Sequence, residues 1–214
     1  MTPANKPKTT SAAMYADVRR LLKKYHCQFE LHQIRTRFMG AIASPIDQIN
    51  PNLEIQALWQ GQMPNFASID AANEFMQVFV MGLWNEQATH FGTGHTFKLA
   101  ENDPEPTEKG LKAHAKLRFE ELASFMAGFF QGEDSLRVSD EISDCMDVLD
   151  DLVAMFGGLA RLPKERQVPG QEQIRDLIDQ LVDLTKIAEK ELNQIIALAA
   201  QERGGDEGAP PRLH

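Results

Sequence analysis

Apolar residues recur along most of this chain at spacings of three and four, the period that places them on one side of an α-helix. Such stripes run over residues 14–25, 31–42, 111–129 and 142–156. Another follows Ser68, a residue type that caps the N-termini of helices. Every element that the pattern indicates is helical, and we therefore predict an all-α fold, a multi-helix bundle.

The longest stripe lies near the C-terminus, where the pattern predicts an additional long helix over residues 172–202. Its apolar positions, from Ile174 to Leu198, cover a wider face than the narrow seam of a coiled coil. Such a face has to pack against another surface. We expect that surface to be the preceding bundle or, alternatively, a protein partner or a second copy of the chain.

Prolines, glycines and charges divide the chain between these stripes. Residues 1–12 are polar, and we predict a disordered tail before a bundle domain over residues 13–162. Pro163 and Pro169 indicate a linker over residues 163–171, ahead of the C-terminal helix. Residues 203–214 return to glycine, proline and charge and are predicted to form a second disordered tail.

The composition is that of a globular protein, with 43% hydrophobic and 25% charged residues among 214. No apolar stretch reaches the roughly 20 residues that cross a bilayer, and the start has no apolar run typical of a secretory signal. We therefore expect a cytoplasmic protein without a membrane partner. Cys27 and Cys145 lie outside any Cys-x-x-Cys pair and are expected to be free, buried thiols.

Charge is distributed unevenly along the chain. The net charge is -9, yet residues 1–40 carry eight basic and two acidic groups, so the remainder carries -15. The basic set on the first predicted helix is Arg19, Arg20, Lys23 and Lys24, and Arg35 and Arg37 follow it. Clustered cations of this kind can bind phosphates, which makes a nucleic-acid-binding protein one alternative. Without a helix-turn-helix, a zinc finger or a stacking set, we favour a solvated helix face or docking against the acidic residues 140–151 in the same or a neighbouring subunit.

An aspartate cluster offers a different chemistry. Asp147, Asp150 and Asp151 mirror the aspartate-rich pattern that binds magnesium diphosphate in helical prenyl-transferring enzymes. A metal-dependent enzyme is therefore a second alternative. Those enzymes need two facing clusters, however, and only one is visible here. Helical geometry places the aspartates opposite the apolar stripe of residues 142–156, so we expect them to face water.

The remaining motifs do not support catalysis. None of the six histidines forms a His-x-x-x-His pair, and we interpret them as surface or helix-end residues. There is no Gly-x-Ser-x-Gly elbow, and Gly92-Thr93-Gly94 follows a helix instead of a strand and lacks a later glycine. We predict no catalytic residues, no cofactor and no metal site.

Four segments between about residues 30 and 132 carry a resemblance to a known family. They are LHQIRTRFMGAIAS from Leu31, ALWQGQMPNF from Ala57, EFMQVFVMGLWNEQA from Glu74 and ASFMAGFFQG from Ala123. Together they resemble the YecA/YgfB-like family of bacterial all-helical proteins. The resemblance implies a fold and no established activity. Two features depart from it, because Thr36 and Arg37 replace a glycine-aliphatic pattern and no cysteine after Cys145 could form the family's C-terminal zinc-binding segment.

The predicted helices offer many surfaces for binding, and no arrangement of residues indicates a reaction site. We therefore favour an interaction or regulatory module that is not a catalyst. The nucleic-acid-binding protein and the metal-dependent enzyme remain the alternatives.

Overall fold

A computed structural model describes residues 11–46, 49–162 and 170–204, and every regular element in these ranges is helical. The elements are α1 (Ser11–Lys24), α2 (Leu31–Ala43), α3 (Pro51–Leu58), α4 (Ile69–Met76), a π-helical segment (Gln77–Trp84), α5 (Asn85–Ala88), α6 (Glu108–Phe130), α7 (Asp140–Ala160) and α8 (Gln171–Gly204). The prediction of an all-α bundle with a long C-terminal helix is confirmed. None of the described helices has the length and apolarity to span a membrane.

Helix starts follow local capping chemistry. The Ser68 hydroxyl accepts a hydrogen bond from the Ala71 amide at 3.1 Å, as predicted for this position. Thr107 caps α6 in the same way through the amide of Gly110, at 3.0 Å. Each cap satisfies one of the backbone donors that the first turn of a helix leaves unpaired.

The centre of the bundle is the crossing of α2 and α6. Here Gly40 faces the backbone of Phe125, and Gly128 faces the backbone of Arg37. A Cβ atom added to either glycine would lie well inside 3.0 Å of a backbone carbonyl. The two backbones therefore approach so closely that only glycine fits at either position.

The C-terminal helix lies on the bundle of its own chain. α8 contacts α7 most extensively and also α6 and α2, and its apolar stripe is buried, including Ile178, Leu192 and Ile195. At its end, the Arg203 guanidinium donates hydrogen bonds to the carbonyls of Ile42 and Ser44, which close the C-terminus of α2. The first of the two predicted packing arrangements is thus the one observed.

Three predicted boundaries differ from the structure. Ser11 and Ala12 begin α1 instead of ending a tail, and α8 continues through Arg203 and Gly204. α7 runs through Gly157 and Gly158 to Ala160, beyond the predicted stripe of residues 142–156. The other residues of the predicted tails, and residues 163–169 of the predicted linker, lie outside the described ranges.

The helix predicted after Ser68 is not regular throughout. It begins as α4, continues as the π-helical segment and returns to α-helix only at Asn85. Within the π-helical segment, Phe79, Leu83 and Trp84 are buried, and Gly82 lies beside the Met14 side chain of α1. π-helical turns are rare and frequently occur near functional sites. This one brings Glu86 to α1, where its Oε1 accepts a hydrogen bond from the Tyr15 hydroxyl at 3.0 Å.

Candidate binding groove

A groove of about 630 Å³ lies between α1, the start of α2 and the segment that precedes α6. Its lining combines apolar, aromatic and charged side chains from all three regions. The lining residues are Tyr15, Arg19, Leu22, Phe29, Glu30, Leu31, His32, Arg35, Lys98, Leu99, Ala100 and Glu101. Leu22, Leu31 and Leu99 belong to the buried core. The part of the groove that borders the core is therefore apolar.

Arg35 is the cation held most firmly in this groove. Its guanidinium lies 5.3 Å from the ring centroid of Tyr15 and 5.4 Å from that of Phe97, at cation–π distance from both. Nη2 donates a hydrogen bond to the Lys98 carbonyl at 3.1 Å, whereas Nε is buried and has no hydrogen-bond partner. Among the described residues, no carboxylate lies within 4.0 Å of this guanidinium.

The other charged groups lie nearer the groove's edge. Arg19 is exposed and, within the described ranges, forms no ion pair. Lys98 pairs with Glu189 at 2.8 Å but keeps 66% of its side chain exposed. His32 Nε2 lies 3.2 Å from Oε2 of Glu120.

Two carboxylates, Glu30 and Glu101, also line the groove, and both are exposed. Water and salt screen the interactions of exposed charges, which weakens the effect of these carboxylates and of the exposed Arg19 and Lys98 alike. Arg19, Arg35 and Lys98 exceed the two carboxylates by one charge, and because Glu189 pairs with Lys98, the positive charge available in the groove belongs mainly to Arg35 and Arg19.

One wall of the groove is an extended segment, residues 97–100, which we call the strap. Side chains of α8 and α6 bind its backbone. Asn193 accepts a hydrogen bond from the Phe97 amide at 2.7 Å and donates one to the Phe97 carbonyl at 3.0 Å. Glu189 accepts from the Leu99 amide at 3.1 Å, and Glu121 accepts from the Ala100 amide at 2.7 Å. These bonds replace the strand partner that an extended backbone otherwise needs.

A buried ion pair anchors the far end of the strap. Arg118 is 2% exposed and Glu121 0% exposed; they pair with each other, and Arg118 also donates to the Ala100 carbonyl. Burial raises the pKa of the Glu121 carboxyl to about 7, against the opposing effects of Arg118, the Ala100 amide and Arg35. Burial likewise lowers the pKa of Arg118. Both shifts have the same main cause, because burial disfavours the charged form of each group.

His114 corrects the interpretation of the histidines as surface or helix-end residues. It is 2% exposed in the middle of α6, where Nδ1 lies 2.7 Å from the Asn102 amide and Nε2 lies 3.2 Å from the Thr185 hydroxyl. Burial, followed by the charge of Arg118, lowers its pKa, so the ring is neutral near pH 7. Both ring nitrogens are satisfied within the fold, which gives His114 a structural role.

The predicted basic patch is only partly available for binding. Arg19, Arg20, Lys23 and Lys24 are all exposed on α1. Arg20, however, pairs with Asp17 at 3.0 Å and with Glu74 at 2.8 Å, and Lys24 lies 3.9 Å from Glu74. Within the described chain, the carboxylates that pair with this face are thus Asp17 and Glu74, and the predicted docking against residues 140–151 of the same subunit is not observed.

The aspartate cluster is solvated. Asp147, Asp150 and Asp151 are exposed on the outer side of α7, as predicted from the helical period. In the part of the chain that the structure describes, no three histidine, cysteine or carboxylate side chains are grouped so that they could hold a metal ion. Cys27 is half-buried and Cys145 buried, and both are free.

The strap was missed in the sequence. Its signal is the alternation of buried Phe97 and Leu99 with exposed Thr96 and Lys98, the period of a half-buried extended segment. That pattern is too short to stand out beside the helical stripes.

Comparison with known proteins finds no matching family model, no matching curated protein and no matching solved structure.

Proposed function

We propose that this chain is a non-catalytic interaction or regulatory module of the cytoplasm that binds a partner protein in the groove between α1, α2 and the strap. The observation that carries this proposal is the lining itself. Among the lining residues, Leu22, Leu31 and Leu99 are buried, whereas Arg19 and Lys98 are exposed. An apolar centre with a polar rim is the usual anatomy of a protein interface, and arginine and aromatic residues contribute strongly to binding there.

The same lining argues against catalysis in this groove. His32 and Glu120 form a histidine–carboxylate pair of the kind that activates a hydroxyl or thiol nucleophile. Among the described residues that line the groove, none is a serine, threonine or cysteine. The one hydroxyl among the described lining residues is that of Tyr15, which donates a hydrogen bond to Glu86 and not to the His32–Glu120 pair.

We also propose that the chain is a relative of the YecA/YgfB-like family. Two of the segments that carry the resemblance contain Gly40 and Gly128, the residues that allow α2 and α6 to cross at close range. A motif of this kind preserves a helix crossing and implies no particular chemistry.

Site-specific photo-crosslinking tests the interaction. Phe29→p-benzoylphenylalanine places the crosslinker in the groove and keeps an aromatic ring there. Met155→p-benzoylphenylalanine is the matched control, because Met155 is 41% exposed on α7 and does not line the groove. The two variants are expressed in the kind of cell that naturally produces this protein, and the cells are irradiated. We expect a protein adduct from position 29 and none from position 155. No adduct at position 29, or the same adducts at both positions, would refute the proposal.

A further inference from the structure

We infer that the groove binds an acidic peptide segment in which aspartate or glutamate lies next to a large apolar residue. This inference rests on the proposed function and names the chemistry of the partner. It is argued from the charges and apolar surface of the lining and from the geometry of Arg35.

Arg35 is prepared to bind a carboxylate. The Tyr15 and Phe97 rings and the hydrogen bond to the Lys98 carbonyl hold its guanidinium in place before any ligand arrives. A preorganised side chain loses less entropy on binding, and a guanidinium binds a carboxylate through strong, charge-assisted hydrogen bonds. Arg37, two residues further along α2, pairs with Glu54 at 2.8 Å, whereas Arg35 has no carboxylate within 4.0 Å in the described part of the chain.

Arg19 adds a second available cation on α1, at the edge of the same groove. The rest of the chain is strongly acidic, with -15 outside residues 1–40. An acidic segment is therefore repelled by most of the surface and attracted here, which favours this groove over other sites.

The apolar lining specifies the neighbouring residue. Leu22, Leu31 and Leu99 line the groove but are at most 7% exposed, so the apolar surface open to a ligand is mainly that of the partly exposed Phe29 and Tyr15 rings. A leucine or phenylalanine beside the acidic residue would cover this surface. The groove's 630 Å³ is enough for a few side chains and too small for a folded domain.

Selection from a random twelve-residue peptide library on the immobilised full chain tests the inference without knowledge of the natural partner. We expect the enriched peptides to combine aspartate or glutamate with leucine, phenylalanine or another large apolar residue. Their affinity, measured by fluorescence anisotropy, should weaken as salt rises from about 50 to 300 mM. An enriched set that is neutral or basic, or no enrichment, would overturn the inference.

Variants locate the binding. Arg35→Glu should weaken the selected peptides at least about tenfold, and Arg19→Glu about threefold to tenfold. Because Arg19 is exposed, its variant tests the groove even if Arg35→Glu disturbs the fold. Arg137→Glu makes the same charge change at another exposed arginine, outside the groove lining, and should leave affinity within about twofold. Equal losses in all three variants would show a general charge effect and contradict the inference.

A nucleic acid is the competing ligand for the same cations. A labelled single-stranded or duplex oligonucleotide that binds at about 50 mM salt and is released by Arg19→Glu, without enrichment of acidic peptides, would replace the inference. The two proposals fail separately. An adduct at position 29 without acidic selection refutes only the peptide chemistry, whereas acidic selection without an adduct refutes only the cellular partner.

Discussion

The α2–α6 crossing and the strap are both central to this fold, yet different forces hold them. At the crossing, Gly40 and Gly128 let two helix backbones meet without intervening side chains. At the strap, Asn193, Glu189 and Glu121 bind an extended backbone through polar side chains from two helices. The crossing depends on the absence of a Cβ atom at two positions, and the strap depends on the presence of several polar groups.

The α2–α6 crossing is a rigid part of the molecule, whereas the strap is a more adaptable wall of the groove. Close packing tolerates no added volume, because neighbouring backbone atoms cannot move independently. A side chain-to-backbone hydrogen bond contributes only about 1 kcal/mol net, and one such bond can open while others remain. The groove lies between these regions, since Arg35 belongs to α2 and also donates to the strap at Lys98.

The largest effect is expected at the crossing. Gly128→Ala should destabilise the fold by about 3 kcal/mol, because its Cβ would overlap the Arg37 carbonyl and neither helix can shift freely. Denaturant unfolding followed by circular dichroism measures the loss. Gly158→Ala is the control, since nothing lies within 4 Å of that position in α7, and it should be neutral or stabilising by up to about 1 kcal/mol. Equal losses in both variants would contradict the close crossing.

The next effect is the pH dependence that Glu121 contributes. Its folded pKa of about 7 lies above the ordinary 4.5, so the folded state holds a proton that the unfolded state has released. The contribution of Glu121 to stability is therefore lost as pH rises from about 4.5 to 7, by about 3 kcal/mol in total. Over this pH range, we expect the free energy of unfolding of the wild-type protein to fall by this amount relative to that of Glu121→Gln.

Unfolding free energies of the two proteins between pH 5 and 8 measure this difference. His114 works in the opposite direction, because its lowered pKa makes the folded state lose a proton that the unfolded state keeps below pH 6.5. Its effect is common to both proteins and cancels when they are compared. A constant difference across this range would rule out the raised pKa of Glu121.

A smaller effect is expected from the hydrogen bonds of the strap. Asn193→Ala removes both bonds to Phe97 and should cost about 1–2 kcal/mol. Amide hydrogen exchange at Phe97 should quicken, while exchange in the middle of α6 stays slow. Gln194→Ala, at the exposed neighbouring position, should change stability by less than about 0.5 kcal/mol. Unchanged exchange at Phe97 would show that Asn193 does not hold the strap.

The smallest effect concerns the ion pair at the groove's edge. Lys98→Ala should change the free energy of unfolding by less than about 0.5 kcal/mol, because the lysine side chain is 66% exposed. Glu189→Ala should cost more, since the Leu99 amide then also loses its acceptor. Thermal unfolding of the two variants side by side checks the order, and the reverse order would mean that the exposed pair matters more than the backbone bond.

Much of the fold could be predicted because helical periodicity is local. The stripes, the Ser68 cap and the outward-facing Asp147, Asp150 and Asp151 all follow from spacings of three and four residues. The candidate groove could be predicted only in part. The basic residues, including Arg35, were visible in the sequence, but nothing there indicated that Arg20 would be paired and Arg35 would not.

Two features could not be predicted from the sequence, for the same physical reason. The π-helical segment has the kind of apolar residues found in a regular helix, and their spacing does not reveal its wider turn. His114 resembled a surface residue because its partners, Asn102 and Thr185, lie on other segments. Neither the π-helical geometry nor the burial of His114 depends on residues within one helical turn, so the spacing of residues along the chain could not reveal them.

The sequence by itself determined the helices, their order and the outward face of α7, because each depends on residues within one or two turns. Only the tertiary structure decided the strap, the buried pair beneath it and the groove beside it. Asn193 and Phe97 are 96 residues apart, and their hydrogen bonds depend on where α8 lies in the folded bundle. A hydrogen bond between a polar side chain and a backbone group far away in the sequence produces no periodic pattern of residues. The proposed binding site lies next to such hydrogen bonds.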